Sequence, residues 1–168
     1  MVRRAGQPDS LAATDEDADE DEELLAAIQR MDRMMSSRKA AGRIVDAAGV
    51  DISQQGVQIV RALHRNGDLP IAKLARAAGM DISAVSRQLR TFEHDGIVRR
   101  STAAGDGRVA IISLTAKGAR IAERLRSVGL RHLSDALGTW SSTDRRALTR
   151  LLNRLVDDFT HTDVAPPD

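Results

Sequence analysis

The chain contains no cysteine and no tyrosine, and its 168 residues include only one tryptophan and two phenylalanines. Without cysteine there is no disulfide framework, no cysteine-based zinc site and no thiol for redox sensing. No run approaches the roughly 18 to 20 apolar residues needed to cross a bilayer, and Met1-Val-Arg-Arg is followed by acidic rather than apolar residues. A soluble, cytoplasmic protein without membrane partners is therefore expected. Lysine is also scarce, at 3 residues against 22 arginines, a bias that genomic base composition is sufficient to explain. The sequence lacks His-Glu-x-x-His, Gly-x-Ser-x-Gly, Gly-x-x-x-x-Gly-Lys and Gly-x-Gly-x-x-Gly, so the familiar metalloprotease, hydrolase and nucleotide-binding signatures are absent. His64, His94, His132 and His161 are too widely spaced along the chain to make a local metal motif. His132 and Asp135 lie one helical turn apart, where a surface hydrogen bond explains them better than catalysis. Neither enzymatic activity nor a metal or cofactor is expected.

The charge is unevenly distributed. The total is +1, yet nine of the 24 acidic residues fall between Asp9 and Glu23, where Arg3 and Arg4 alone precede them as basic residues. Without residues 1–23 the chain holds 23 basic against 15 acidic residues, a net +8. A body with that charge suits a polyanionic partner, whereas the total would argue against one. The acidic stretch has almost no apolar content and is expected to be a disordered tail over residues 1–23.

The residues from Pro70 to Leu114 carry the most specific pattern. Ile71, Leu74, Ala75 and Ala78 recur at helical spacing and predict a two-turn helix. Gly79 supplies the left-handed conformation that ends it, and Asp81 is a good N-cap for the next. A tight helix-turn-helix follows, with Ala75, Gly79 and Val85 meeting the size demands of the crossing. In the second helix, about Ile82 to His94, Val85, Leu89 and Phe92 lie on one side. Ser83, Ser86, Arg87 and Arg90 share another. Serines allow close approach to base edges, and arginine can pair with guanine or clamp a phosphate. No carboxylate between Ile82 and Thr91 balances the two arginines, unlike an ordinary solvated helix face, which mixes its signs.

After Gly96 the pattern turns from helical to alternating. Two strands are expected, one through Ile97 to Ser101 and a return from Val109 to Leu114, joined by a loop from Thr102 to Gly107. This reads as the wing of a winged helix-turn-helix. Arg108 is placed to enter a minor groove, with Asp106 as its orienting partner. Arg99 and Arg100 at the base of the wing are expected to contact phosphates without reading sequence.

These residues resemble the MarR family of bacterial transcriptional regulators. The resemblance runs from about Leu24 to Phe159. It rests on Asp81-Ile-Ser-Ala-Val-Ser-Arg-Gln-Leu-Arg, His94-Asp-Gly-Ile-Val-Arg-Arg, Asp106-Gly-Arg-Val and Ile112-Ser-Leu-Thr-Ala-Lys-Gly118. In that family the corresponding parts are the recognition helix, its exit turn, the wing tip and the start of a dimerisation helix. Gly107 stands where the family commonly has a second arginine. The resemblance implies a homodimer on a near-palindromic operator, often a repressor, often released by a small aromatic or phenolic molecule.

The flanking residues fit two long helical regions. Leu24, Leu25, Ile28, Met31, Met35, Ile44 and Val45 form an interrupted stripe closed by Gly49. Ser53 caps a helix from Gln54 to Arg65. Thr115 opens a helix to about Leu137, and Ser141 or Ser142 a last one through Phe159, with Leu148, Leu151, Leu152, Leu155, Val156 and Phe159 on a wide apolar face. One small lobe cannot bury all of this surface, and a two-fold dimer is the commonest solution. The expected fold is mainly α with a small β-hairpin wing. A winged helix-turn-helix lobe at about 53–114 is flanked by dimerisation helices at about 24–48 and 115–160, within a domain spanning 24–160; residues 161–168 form a short tail. The expected partners are double-stranded DNA, a second copy and a small-molecule effector, whose pocket should be mainly aliphatic. The rival reading is a winged helix that binds only protein; five arginines along one surface without balancing carboxylates argue against it.

Overall fold

The computed structural model describes residues 15–103 and 106–162. Its elements are α1 (Asp15–Met35), α2 (Arg38–Ala48), α3 (Gln54–Asn66), β1 (Leu69–Pro70), α4 (Ile71–Ala78), α5 (Ile82–His94), β2 (Val98–Ala103), β3 (Asp106–Leu114), α6 (Ala116–Ala136) and α7 (Ser142–His161). The chain is mainly helical with a small antiparallel sheet ordered β1-β3-β2.

Local signals account for most boundaries. The Ser53 hydroxyl accepts from the Gly56 amide at 3.0 Å and starts α3. Asp81 starts α5 by accepting from the Ala84 amide at 2.8 Å, and Thr115 starts α6 by accepting from the Gly118 amide at 3.1 Å. Each satisfies a backbone donor that the first helical turn leaves unpaired. Gly49 and Gly79, at φ 59° and 64°, end α2 and α4 in the left-handed region.

The core lies where α3, α4, α5, β3 and α6 converge. Ile59, Val60, Leu74, Val85, Leu89, Phe92, Ile112 and Leu125 are fully enclosed there. Phe92 fits because α3 carries Gly56 beneath it; a Cβ at that position would stand 2.6 Å from the ring's Cζ. This packing fixes the tilt of α5 against α3, with a polar tie at the edge where the Ser53 hydroxyl donates to Gln88 Oε1 at 2.9 Å.

Three features depart from the sequence-based expectations. Residues 15–23, expected to be disordered, form the first turns of α1. Acidic side chains near a helix N-terminus favour the helix dipole, and alanine and glutamate are good helix formers, so the segment extends the helix although residues 17–23 are exposed. Residues 1–14 and 163–168 of the expected tails lie outside the described residues. Leu69–Pro70, to which the sequence pattern assigns no element, pairs with β3 as Leu69↔Ile112 and Pro70↔Ile111. Proline lacks an amide donor but is tolerated on such an edge strand. Finally, the hairpin strands run further than expected, through Ala103 on one side and from Asp106 on the other, with an irregularity at Thr102/Ala103.

Helices α1 and α7 lie apart from this core. No residue of α7 is buried, and α1 touches little beyond α2.

Candidate nucleic-acid interface

α5 carries its apolar side chains into the core and its polar set outward. Arg87 and Arg90 are exposed, Ser83 is exposed and Ser86 is half-buried. The four expected reading residues therefore share an open helix face, because the enclosed Val85, Leu89 and Phe92 leave that face free. Arg87, Arg90 and Arg99 make no ion pair among the described residues. Their charges are available to a ligand of opposite sign.

Two expected residues are engaged within the chain. The Ser83 hydroxyl donates to the Asp81 carboxylate, which it holds below the usual carboxylate range with help from the Ala84 amide and the charge of Arg87. Ser83 retains its lone pairs as acceptors, so its part at a base edge would be accepting. Arg100, expected to meet a phosphate, instead donates from Nε to Glu93 Oε1 at 2.8 Å. Glu93 lies outside the carboxylate-free stretch of α5 but within reach of β2, so much of the Arg100 charge is neutralised. The pair ties the end of α5 to the base of the wing.

Asp106 and Arg108 occupy the first residues of β3, but their side chains, including the expected Asp106-to-Arg108 contact, lie outside the described residues. Sequence reasoning missed the Glu93–Arg100 and Ser53–Gln88 pairs. Neither has a sequence signal beyond opposite or complementary polarity, since 7 and 35 residues separate the partners.

Among the described residues there is no cluster of histidine or acidic side chains that could hold a metal, and no helix is long and apolar enough to cross a membrane. A short helix, a tight turn, a second helix with free arginines on its open face and a β-hairpin define a winged helix-turn-helix DNA-binding protein.

The comparisons with known proteins narrow this class. The model of the MarR family matches residues 52–110. An uncharacterised helix-turn-helix regulator of Bacillus subtilis, YxaD, is 25% identical over 137 residues, covering 82% of this chain and 90% of that protein. A helix-turn-helix transcriptional repressor of Mycobacterium tuberculosis is 30% identical over 99 residues, covering 59% of this chain and 71% of its own length. Among solved structures, a MarR family protein from Bacillus stearothermophilus superposes with a TM-score of 0.70 at 23% identity, covering 89% of this chain and 99% of the other. NadR, solved in complex with 4-hydroxyphenylacetate, does so with a TM-score of 0.58 at 21% identity, covering 90% and 97%. The chain belongs to the MarR family and is a DNA-binding transcription regulator.

Proposed function

We propose that this regulator acts as a homodimeric repressor, reading a near-palindromic operator with one α5 helix per half-site and releasing it when a small molecule binds. The observation that carries the dimer is the bare apolar surface of the terminal helices. Leu24, Leu25, Met31 and Met35 on α1 and Leu151, Leu152, Val156 and Phe159 on α7 are all exposed. Large apolar side chains left exposed along two helices mark an interaction surface, and self-association through a two-fold axis is its commonest use. Two α5 helices related by that axis would meet successive major grooves roughly 34 to 36 Å apart.

In this reading Ser83, Ser86, Arg87 and Arg90 meet base edges, Arg99 meets a phosphate, and Asp106 with Arg108 serves the minor groove. Repression is supported by the name of the mycobacterial relative.

Release by an effector is supported by a cleft of about 440 Å³ between α3 and α6, lined by Arg61, His64, Arg65, Ala122 and Arg126. Four of its five lining residues carry basic side chains, and one of them, Arg126, is paired with Glu123 at 3.0 Å. Arg61 is half-buried, and burial together with the charge of Arg65 lowers its pKa; no carboxylate pairs with it among the described residues. An anionic group on the effector would supply the missing charge. NadR, with its bound 4-hydroxyphenylacetate, sets a precedent for such a ligand on this fold. A ligand with different affinities for two spacings of the α5 helices is all that release requires.

Titration of random duplex DNA with salt tests the DNA reading against a protein-only module. Several phosphate contacts give a log affinity that falls steeply with log salt, by roughly 0.9 per contact; a flat response would refute DNA binding. Sedimentation of the full chain tests the dimer, and a monomer at micromolar concentration would refute it.

A further inference from the structure

The start of α6 is joined to the end of α5 across the turn at Asp95, Gly96 and Ile97. The Thr115 hydroxyl donates to the Gly96 carbonyl at 2.6 Å and to the Ile97 carbonyl at 3.1 Å, and the Thr115 amide donates to the Ile97 carbonyl at 3.0 Å. Gly118 lies so close to that turn that a Cβ there would overlap the Ile97 carbonyl. One charged side chain completes the joint. Lys117 Nζ donates to the carbonyl of Asp95 at 2.8 Å, and Asp95 is the C-cap of α5.

We propose that Lys117 is a positioning residue for DNA recognition: its ammonium group struts the C-terminal end of α5 against α6 and fixes the angle at which Arg87 and Arg90 are presented. The charge is matched to its place. A cation at a helix C-terminus meets the negative end of the dipole and its unpaired carbonyls. A compact ammonium on a flexible stem suits a single carbonyl oxygen, where the planar arginine fork suits carboxylates and phosphates. Lys117 is one of only 3 lysines in a chain with 22 arginines. α6 runs from this joint to Ala136 and exposes Leu130 and Leu133 near its far end, so the joint lies on the path by which a tilt of α6 would reach α5.

The proposal rests on the DNA-binding reading, and a single experiment separates the two. The full-length chain and its Lys117→Met variant, which keeps the aliphatic stem, are titrated against two duplexes at several salt concentrations. One duplex is the tightest site selected by the unmodified chain from a random library, the other poly(dI-dC). A strut predicts a loss of about tenfold on the selected site, the scale of one misplaced base contact, with less than about twofold on poly(dI-dC) and an unchanged salt slope. Lys117→Arg, which can still donate to the carbonyl, is expected to recover at least half of the loss on a logarithmic scale, and failure to recover would count against the strut. Equal losses on both duplexes with a slope shallower by about one contact would overturn the proposal in favour of a phosphate contact. Unaltered binding to both would overturn it outright. If the unmodified chain binds neither duplex, the DNA reading falls and the strut with it.

Discussion

The lobe from α3 to the start of α6 and the pair α1 and α7 obey opposite rules of burial. In the lobe, Phe92, Leu89, Leu74 and Ile59 are enclosed in one core shared with Ile112 of β3 and Leu125 of α6. On α7, Leu151, Leu152, Val156 and Phe159, the last at 65% exposure, are exposed. Both regions have amphipathic helices, so amphipathicity alone does not tell which will be covered. The difference is completeness: the lobe closes on itself and can hold a fixed reading surface, while the terminal helices are left with surface to bury elsewhere. A closed reading lobe joined to exposed terminal helices is the division of labour that the proposed two-fold regulator needs.

The comparison can be broken most severely from within the lobe. Phe92→Ala is expected to cost about 3 to 5 kcal/mol of unfolding free energy, measured by urea denaturation, because the ring fills the space that Gly56 leaves. A cost near that of a surface substitution would mean the lobe is not closed as described.

Substitution of both Leu151→Asp and Leu152→Asp should leave the thermal transition of the lobe in place but abolish self-association in sedimentation. Operator affinity is then expected to fall about 100-fold, since two linked half-sites become independent. Persistence of the dimer would shift the docking surface away from this face of α7.

Arg87→Ala and Arg99→Ala sharpen the division inside the interface. The first is expected to relax preference at a defined operator position, by about 1 to 3 kcal/mol, and the second to weaken all duplexes about equally and lower the salt slope by about one contact. Selection on a randomised operator library distinguishes them, and uniform losses for both would erase the split between reading and positioning.

The smallest effect concerns Ser113, whose buried hydroxyl has no hydrogen-bond partner among the described residues. Ser113→Ala should be neutral or stabilising by up to about 1 kcal/mol in the same urea assay, because it removes an unsatisfied polar group without leaving a large void. A clear loss of stability would reveal a partner for that hydroxyl.

Much of this arrangement was legible before the fold was known. The bounds of α4 and α5 followed from local chemistry: a helical stripe closed by Gly79, an N-cap at Asp81, and a polar set at spacings that can only share one face. Thr115 and Ser53 were readable as caps for the same reason. Helix caps and periodicity act over a few residues, so the sequence carries them whole.

What escaped the sequence is what depends on distance in space. Leu69–Pro70 becomes a strand only because β3 offers it a free edge. Arg100 is diverted to Glu93, and Gln88 to Ser53, because packing of α5 brings those atoms to 2.8 and 2.9 Å. The cleft around Arg61 exists only where α3 crosses α6. Lys117 acquires its partner, the Asp95 carbonyl, only when the turn after α5 folds against the start of α6. Apart from the first turns of α1, the helices, their apolar faces and the places of the unbalanced arginines are readable along the chain, since these are properties of sequence neighbours. The tertiary structure alone decided which of those charges are already paired and which remain for DNA, because ion pairing is settled by separations that local sequence does not encode.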